Sequence, residues 1–442
     1  MWAIRMIGVL FDMSSDFLAI GGFVALFVMM ILRVPIGIAM GIVGIGGFAS
    51  VVGWGPALSV LAQSPIRTIT DFNLSLIPFF VLMGVLATNS GMSRELFRTG
   101  QKWLGGFRGG MAFSTIGACA GFAAICGSSV ATAATMTKIA LPEMRREGYP
   151  DEVATGVIAA GGTLGILIPP SVVLAVYGFI TEQDIGTLFI AGIGPGLLAI
   201  VMYMVAVRVA YGRVLPPGKR FDLGEAVRSL SGVWAVMLLF VAIIGSIYFG
   251  LATATEAAAV GSFLTALIGI ARGRLNARQL MDSLVEALRT SVAIYTILIG
   301  AILFGYFLAI TQTPQKITAW LVAMDIGTYG TLTLILIFFV LMGCILDAMA
   351  MIILLVPIVY PVIIQLGFDP IWFGVIIVMT VELGLITPPV GMNVFVINSI
   401  AREVSLPKIF KGVLPFVAAD IIRLVLLIAF PAIVMFLPTT MN

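Results

Sequence analysis

The chain has 442 residues, of which 60% are hydrophobic and 10% are charged, and its formal net charge is +3. Its mean hydropathy of +1.15 lies far above that of water-soluble domains, so we predict an all-α polytopic membrane protein. The chain contains no histidine and only three cysteines, without a CxxC pair. This composition disfavours an enzyme or a resident metal centre, and the small positive charge indicates no nucleic-acid partner.

Apolar stretches of about 20 residues are long enough to cross the hydrocarbon core of a lipid bilayer. In chain order they predict spans near residues 17–33, 35–53, 71–90, 151–181, 187–209, 231–251, 255–271, 288–311, 369–400 and 409–436. Residues 92–104 and 313–324 have the pattern of amphipathic helices that lie at the membrane surface, with plain connector helices as the alternative.

Two apolar segments are too long for one span and are interrupted near their middle. Residues 111–143, termed hairpin 1, are interrupted by Cys-Gly-Ser-Ser at 126–129, and residues 328–365, termed hairpin 2, by Cys-Ile-Leu-Asp at 344–347. A helix of about 15 residues extends only about 22 Å, which is short of the bilayer thickness. Each segment is therefore predicted to be a re-entrant hairpin that enters and leaves the membrane by one face.

Basic residues collect in the connectors at 94–108, 145–146, 213–228, 272–278 and 402–411, and such loops face the cytoplasm. Hairpin 1 then opens from the cytoplasm and hairpin 2 from outside. The same inverted relation is visible as an internal repeat with an offset of 219 residues, which aligns Gly165 with Gly384 and the pair Pro169-Pro170 with Pro388-Pro389. Such a repeat indicates an inverted-repeat transporter, the alternative being a chance match between Gly- and Ala-rich spans.

The two proline pairs are expected to break their helices in mid-membrane, because proline lacks an N–H group and its ring clashes with the carbonyl group four residues earlier. Released carbonyl groups suit a sodium ion, and the N–H groups of the following half-helix suit a carboxylate. A simple proline kink is the alternative. The carbonyl groups concerned belong to Gly165, Ile166, Gly384 and Leu385.

The hairpin tips supply further oxygen ligands. Ser128 and Ser129 offer hydroxyl groups, although they could instead cap a helix, and Asp347 is a carboxylate in apolar surroundings. For both Asp347 and Glu382 the alternative is a structural ion pair with a basic residue on another helix. Asp420 and Arg423 are interpreted as a local helix pair without a function, and Glu256 as a charge at a helix N-terminus.

These considerations give two overlapping residue sets. The predicted sodium ligands are Gly127, Ser128, Ser129, Gly165, Ile166, Pro169, Leu346, Asp347, Gly384, Leu385, Thr387 and Pro388. The predicted substrate-binding residues are Ser128, Ser129, Thr163, Pro170, Ser171, Asp347, Met392 and Asn393.

Five stretches resemble the large membrane subunit (M subunit, DctM-like) of tripartite ATP-independent periplasmic (TRAP) transporters: GSSVATAA at 127–134, GTLGILIPPS at 162–171, TATEAAAVG at 253–261, LDAMAMIILLVPIVYPV at 346–362 and GLITPPVGMNVFV at 384–396. The resemblance implies an ion-transporter fold with two re-entrant hairpins and two discontinuous helices, working as a sodium-driven elevator. It also implies two partners, a small four-helix membrane subunit (Q subunit) and a periplasmic substrate-binding protein (P subunit).

On this basis the chain is divided into scaffold helices (17–90 and 187–311), arm helices (91–110 and 312–326), transport-domain segments (111–181 and 328–403) and a C-terminal helix (407–442). The expected function is sodium-coupled uptake of a small carboxylate, such as a dicarboxylate or sugar acid, across the bacterial inner membrane. No other cofactor is expected, and two or more sodium ions are expected per cycle. A stand-alone ion-coupled carboxylate carrier is the first alternative, and a channel is disfavoured because no span carries a polar stripe.

Overall fold

The computed structural model describes residues 2–218 and 221–441, with side chains from residue 15 onward. In these ranges the chain is helical and contains no β-strand. Its helices, numbered in chain order, are α1 (Trp2–Ile31), α2 (Ile36–Val52), α3 (Trp54–Thr70), α4 (Leu76–Asn89), α5 (Met92–Leu104), α6 (Gly110–Cys126), α7 (Ser129–Arg146), α8 (Asp151–Leu167), α9 (Val172–Thr181), α10 (Ile185–Tyr211), α11 (Leu223–Tyr248), α12 (Ala254–Ala271), α13 (Ala277–Ile310), α14 (Thr313–Ala323), α15 (Thr328–Gly343), α16 (Ala348–Gln365), α17 (Pro370–Ile386), α18 (Met392–Ile400), α19 (Leu406–Ala429) and α20 (Ala432–Met435).

Each predicted span coincides with a helix or a broken pair of helices. Hairpin 1 is formed by α6 and α7, and hairpin 2 by α15 and α16. Among the described residues, seven helical segments are long and apolar enough to cross a membrane. Large apolar side chains point outward, and Val209 and Leu251 are each 79% exposed. Such exposure is costly in water and suits a lipid-facing surface.

Several helix bounds differ from the prediction, and one helix was not predicted. Helix α13 begins at Ala277 rather than near residue 288, and the predicted C-terminal span ends early because α19 stops before Phe430-Pro431. Helix α3 was not predicted, since the polar residues Gln63, Ser64 and Arg67 interrupt its apolar run.

The helix boundaries confirm the internal repeat. A shift of 219 residues moves α7 onto 348–365 and α8 onto 370–386, which are the bounds of α16 and α17. Gly148 and Gly367, one shift apart, both have a φ of +79°. The Pro169-Pro170 and Pro388-Pro389 peptide bonds are both cis. Most of the corresponding ends agree to within one or two residues, as expected if both halves use the same local signals.

The helices form two compact units. The first contains residues 2–75, Thr290–Ile335 and Met349–Phe368. Within it, α2 packs tightly against α13, because a Cβ atom built on Gly300 would lie 1.9 Å from the carbonyl oxygen of Gly37. Phe23 and Phe304 pack edge to face in the same unit, with ring centroids 5.5 Å apart. Glycine residues thus let two helices approach closely, as in membrane proteins, where the hydrophobic effect does not drive helices together.

The second unit contains Leu76–Arg289, Leu336–Ala348 and residues 369–441. Helix α8 lies at its centre and is buried from residue 153 to its end. Helix α19 crosses it closely, because a Cβ atom on Gly156 would lie 2.0 Å from the Gly412 carbonyl oxygen. Thr253 and Glu256 form a reciprocal capping box at the start of α12, which confirms the predicted role of Glu256. This division by contacts differs from the predicted scaffold and transport segments, which stay predictions.

Candidate functional site

The first break separates α8, which ends at Leu167, from α9, which begins at Val172. The hydroxyl group of Ser171 accepts a hydrogen bond from the backbone N–H of Leu174 at 3.2 Å and donates one to the carbonyl oxygen of Ile166. The first bond caps α9. The second gives the Ile166 carbonyl a protein partner, although the sequence predicted that this carbonyl would be released to a cation.

The tip of hairpin 1 lies directly against this break. Gly127 has a φ of +61°, and a Cβ atom built on it would lie 2.7 Å from the Pro170 carbonyl oxygen. A Cβ atom on Gly165 would lie 2.5 Å from the Ser128 carbonyl oxygen. Both approaches are too close for any residue with a side chain, so both positions require glycine. The carbonyl oxygens of Pro170 and Ser128 therefore lie where the tip meets the break.

The two serines at this tip have different roles. The Ser128 hydroxyl accepts a hydrogen bond from the backbone N–H of Ala131 at 3.3 Å and so caps α7, as the alternative interpretation proposed. The Ser129 hydroxyl instead donates to the side-chain oxygen of Asn393 at 2.8 Å. Asn393 is fully buried and donates to the Ala159 carbonyl at 3.4 Å. Two predicted substrate-binding residues from opposite halves of the sequence are thus in direct contact.

The second break, between α17 and α18, also satisfies part of its backbone. The N–H of Thr387 donates to the Gly384 carbonyl at 3.2 Å, and its hydroxyl group donates to the Leu383 carbonyl at 2.5 Å. The Gly384 carbonyl therefore has a partner, as the Ile166 carbonyl does. A carbonyl oxygen has two lone pairs, so either could still accept a second interaction.

The loop of the second break folds back on itself. A Cβ atom built on Gly391, whose φ is +62°, would lie 3.2 Å from the Thr387 carbonyl oxygen and 3.4 Å from that of Leu385. These two oxygens consequently converge on one point of the loop. Pro388 is exposed here, whereas Pro169 is buried. The loop of the second break is therefore partly exposed, whereas the first break is enclosed by the surrounding helices.

The tip of hairpin 2 places Leu346 and Asp347 between the end of α15 and the start of α16. Leu346 is buried and Asp347 is half-buried. A Cβ atom on Gly384 would lie 2.6 Å from the Cα atom of Gly343, so the last turn of α15 abuts α17 close to the second break. The predicted role of Asp347 in sodium binding stays a prediction.

A buried chain of polar side chains runs beside α8. The hydroxyl of Thr163 donates to the Ala160 carbonyl at 2.7 Å and lies 3.1 Å from the Tyr203 hydroxyl. Tyr203 donates to a carboxylate oxygen of Asp420 at 2.9 Å. The predicted substrate-binding residue Thr163 is fully buried and already bonded within this group. In this structure its hydroxyl group therefore forms hydrogen bonds within the protein and is not exposed to a ligand.

These polar side chains lead to an ion cluster. Arg423 donates to Glu382 at 2.9 Å and lies 2.9 Å from Asp420, and all three side chains are at most 1% exposed. Among the described atoms, Glu382 Oε1 and Arg423 Nε and Nη1 have no hydrogen-bond partner. Two carboxyl groups thus share one guanidinium, which leaves the cluster short of one positive charge unless a carboxyl is protonated.

This cluster corrects the sequence interpretation of Asp420 and Arg423 as a local pair alone. The local pair exists, but Arg423 also binds Glu382 on α17. Glu382 is therefore part of a structural ion pair, which was the alternative given for it. The available signal was an arginine in a largely apolar span, which needs acidic partners and can find them on another helix as well as on its own. Among the described residues, no group of three or more His, Cys, Asp and Glu side chains could hold a metal ion.

Residues 23–433 match the family described as "Tripartite ATP-independent periplasmic transporter, DctM component". The C4-dicarboxylate TRAP transporter large permease protein DctM of Pseudomonas aeruginosa is 36% identical over 398 residues, which cover 89% of this chain and 93% of that protein. The sialic acid TRAP transporter large permease protein SiaM of Vibrio cholerae is 31% identical over 387 residues, covering 86% and 90%. The isethionate TRAP transporter permease protein DctMQ of Oleidesulfovibrio alaskensis is 34% identical over 426 residues, covering 94% of this chain and 65% of that protein.

The fold is similar to that in the crystal structure of the Alcanivorax borkumensis YdaH transporter, with a TM-score of 0.62 at 15% sequence identity. The match covers 86% of this chain and 90% of the other. At this identity the likeness concerns the fold alone.

Proposed function

Because the chain belongs to the DctM component family of tripartite ATP-independent periplasmic transporters, we propose that it carries out sodium-coupled secondary active uptake of a small carboxylate. The chain is a multi-pass integral protein of the bacterial inner membrane, and it is a transport protein rather than an enzyme. The proposal concerns the coupling ion, the substrate class and the mechanism.

The contact between Ser129 and Asn393 supports this proposal most directly. It joins the tip of hairpin 1 to the first turn of the half-helix that follows the second break. A ligand that bound either residue would affect both halves of the repeat at once. A transporter needs this property, because the two coupled ligands must each bind better when the other is present.

Sodium would bind where each hairpin tip meets its break. At the first break, the carbonyl oxygen of Pro170 lies at the junction, and that of Ser128 lies there too but already accepts hydrogen bonds from the N–H and hydroxyl groups of Thr132. At the second break, the carbonyl oxygens of Leu385 and Thr387 converge. Oxygen ligands suit a hard cation, and the C-terminal end of each first half-helix adds a negative partial charge. Asp347 would contribute a full negative charge to the second site.

The substrate carboxylate would bind between the two second half-helices. Helices α9 and α18, of 10 and 9 residues, each begin at a break and direct the positive end of a helix dipole toward it. Ser129 and Asn393 would orient the carboxylate by hydrogen bonds. Named relatives transport C4-dicarboxylates, sialic acid and isethionate, so this shared arrangement is compatible with acids of different size.

Two partners complete the proposed transporter. The family description names a tripartite system, in which this chain is one component. One relative, named DctMQ, is matched over only 65% of its length, which leaves room for a fused small membrane subunit. We assign to this chain a separate or fused four-helix Q subunit and a periplasmic binding protein that delivers the carboxylate. In the elevator mechanism the segments 111–181 and 328–403 would cross as one body.

Uptake into proteoliposomes that contain all three components, under an imposed sodium gradient, tests this proposal. Labelled succinate, N-acetylneuraminate and isethionate represent the three acid classes. Ser129→Ala and Asn393→Ala should each lower uptake about tenfold, since a lost hydrogen bond to a charged ligand costs about 1.5 kcal/mol or more. Ser399→Ala, an exposed serine on α18, is the matched control.

Three results would oppose the proposal in different ways. Uptake that ignores the sodium gradient would indicate a channel or a facilitator. Full uptake without the binding protein would favour the stand-alone carrier. Normal uptake by both site variants would move the substrate away from Ser129 and Asn393.

A further inference from the structure

A cavity of about 370 Å³ lies between α5 and α7 in the second unit. One face of α5 lines it with Arg94, Arg98 and Gln101, and the facing side of α7 contributes Lys138 and Glu143. The α5 positions recur every three or four residues, so this helix presents one continuous face to the cavity. None of the ion or substrate residues assigned above lies in it.

The three basic side chains of this cavity have no acidic partner within the described structure. The one acidic residue that lines the cavity, Glu143, is paired with Arg146 at 2.8 Å. We call Arg94, Arg98 and Lys138 the basic triad; all three are exposed.

Neighbouring basic residues behave differently. Arg272 and Arg274 both bind Glu95 of α5, at 2.8 and 2.6 Å, and Lys102 of α5 binds Glu225. The bases around the other faces of α5 are therefore paired, and those toward the cavity are left without a counter-charge. A concave surface whose unpaired charges are all positive raises the local concentration of small anions.

Helix α7 runs from this cavity to the tip of hairpin 1. Thr135, Ala131 and Ser128 precede Lys138 at helical spacing on one face, and all three are half-buried rather than buried. The distance along the helix from Lys138 to Ser128 is about 15 Å at 1.5 Å per residue. These three side chains are small and partly exposed, so this face of α7 is a narrow accessible surface that leads from the basic triad to the candidate site.

We propose that the basic triad is a second, low-affinity anion site, at which the carboxylate group of the substrate binds between the hairpin tip and the cytoplasm. This inference rests on the proposed function, which supplies a carboxylate at the tip. The arginines can form paired hydrogen bonds with a carboxylate, and the lysine adds a point charge. The phosphate of an anionic lipid shares this chemistry and is the other source that the experiment must separate.

The electrostatic part of the inference can be measured without transport. The protein for this test has Cys119, Cys126 and Cys344 replaced by alanine and carries the substitution Thr135→Cys. It is reconstituted in phosphatidylcholine nanodiscs, and the cysteine is reacted with a negatively or a positively charged methanethiosulfonate. We expect the ratio of the negative to the positive reagent's rate to fall about three- to tenfold when the basic triad is changed to glutamine. Changing Arg402, Lys408 and Lys411 to glutamine alters the net charge equally and should leave the ratio unchanged.

The occupant is identified by protection of the same cysteine. Succinate, N-acetylneuraminate or isethionate should slow its reaction in the parent protein but not in the triad variant. Protection by added phosphatidylglycerol instead would assign the site to a lipid phosphate and overturn the carboxylate assignment. An unchanged rate ratio in the triad variant would overturn the anion site itself. Neither result depends on uptake, so failure of the proposed function is recognised separately.

Discussion

Arg423 on α19 donates a hydrogen bond of 2.9 Å to Glu382 on α17, and both side chains are fully buried. Glu382 lies two residues before Gly384, near the second break. The ion pair therefore attaches the helix that carries this break to the C-terminal helix, without facing the cavity described above.

Removal of the arginine should destabilise the protein strongly. Arg423→Met leaves two buried carboxyl groups without their cation, and such a change costs about 3–5 kcal/mol. The measurement is the unfolding temperature of the purified protein in detergent. The triple variant Glu382→Gln, Asp420→Asn and Arg423→Met removes all the charges together and should recover most of the loss. Equal stability of Arg423→Met and the parent would contradict the role assigned to the cluster.

Gly165 should not tolerate a methyl group. In Gly165→Ala the new Cβ atom would lie 2.5 Å from the Ser128 carbonyl oxygen, so the tip of hairpin 1 must move away from the break. Overpacking of this kind costs about 1–3 kcal/mol, and uptake should fall with it. Gly46→Ala is the matched control in a helix, since nothing lies within 4 Å of its Cβ position. It should be neutral or stabilising by up to about 1 kcal/mol.

Ser171 should affect stability and sodium binding together. In Ser171→Ala, α9 loses its cap at a cost of about 1 kcal/mol, and the Ile166 carbonyl loses its hydrogen bond. The freed carbonyl should raise the sodium affinity of the first break, measured from the sodium dependence of uptake. Ser50→Ala removes an exposed helical hydroxyl and should change neither quantity. Unchanged sodium affinity in Ser171→Ala would place the ion away from Ile166.

Asp347 should be required for sodium dependence. Asp347→Ala removes the only full negative charge proposed for the ion sites, so half-maximal uptake should require at least about tenfold more sodium, or about 1.4 kcal/mol. Asp282→Asn, an exposed acid on α13, is the control. A normal sodium profile in Asp347→Ala would remove this residue from the coupling site.

The sequence alone determined most elements of the fold, although it missed α3. Proline has no N–H group wherever it occurs, so the breaks at residues 169 and 388 follow from local chemistry. Glycine and serine at 127–129 interrupt hairpin 1 for equally local reasons. The repeat was visible because the same signals recur 219 residues later, and the bounds of α16 and α17 reproduce it.

The tertiary structure alone decided which polar groups meet. Ser129 and Asn393 are 264 positions apart, and Glu382 and Arg423 are 41 apart on different helices. Nothing in the local pattern indicates which helix faces which, so neither pair was predicted. The structure also showed that Ser171 binds the Ile166 carbonyl, a group that proline chemistry alone had left without a partner. A buried polar group takes the nearest available partner in space, and only the packed arrangement of helices specifies that neighbour.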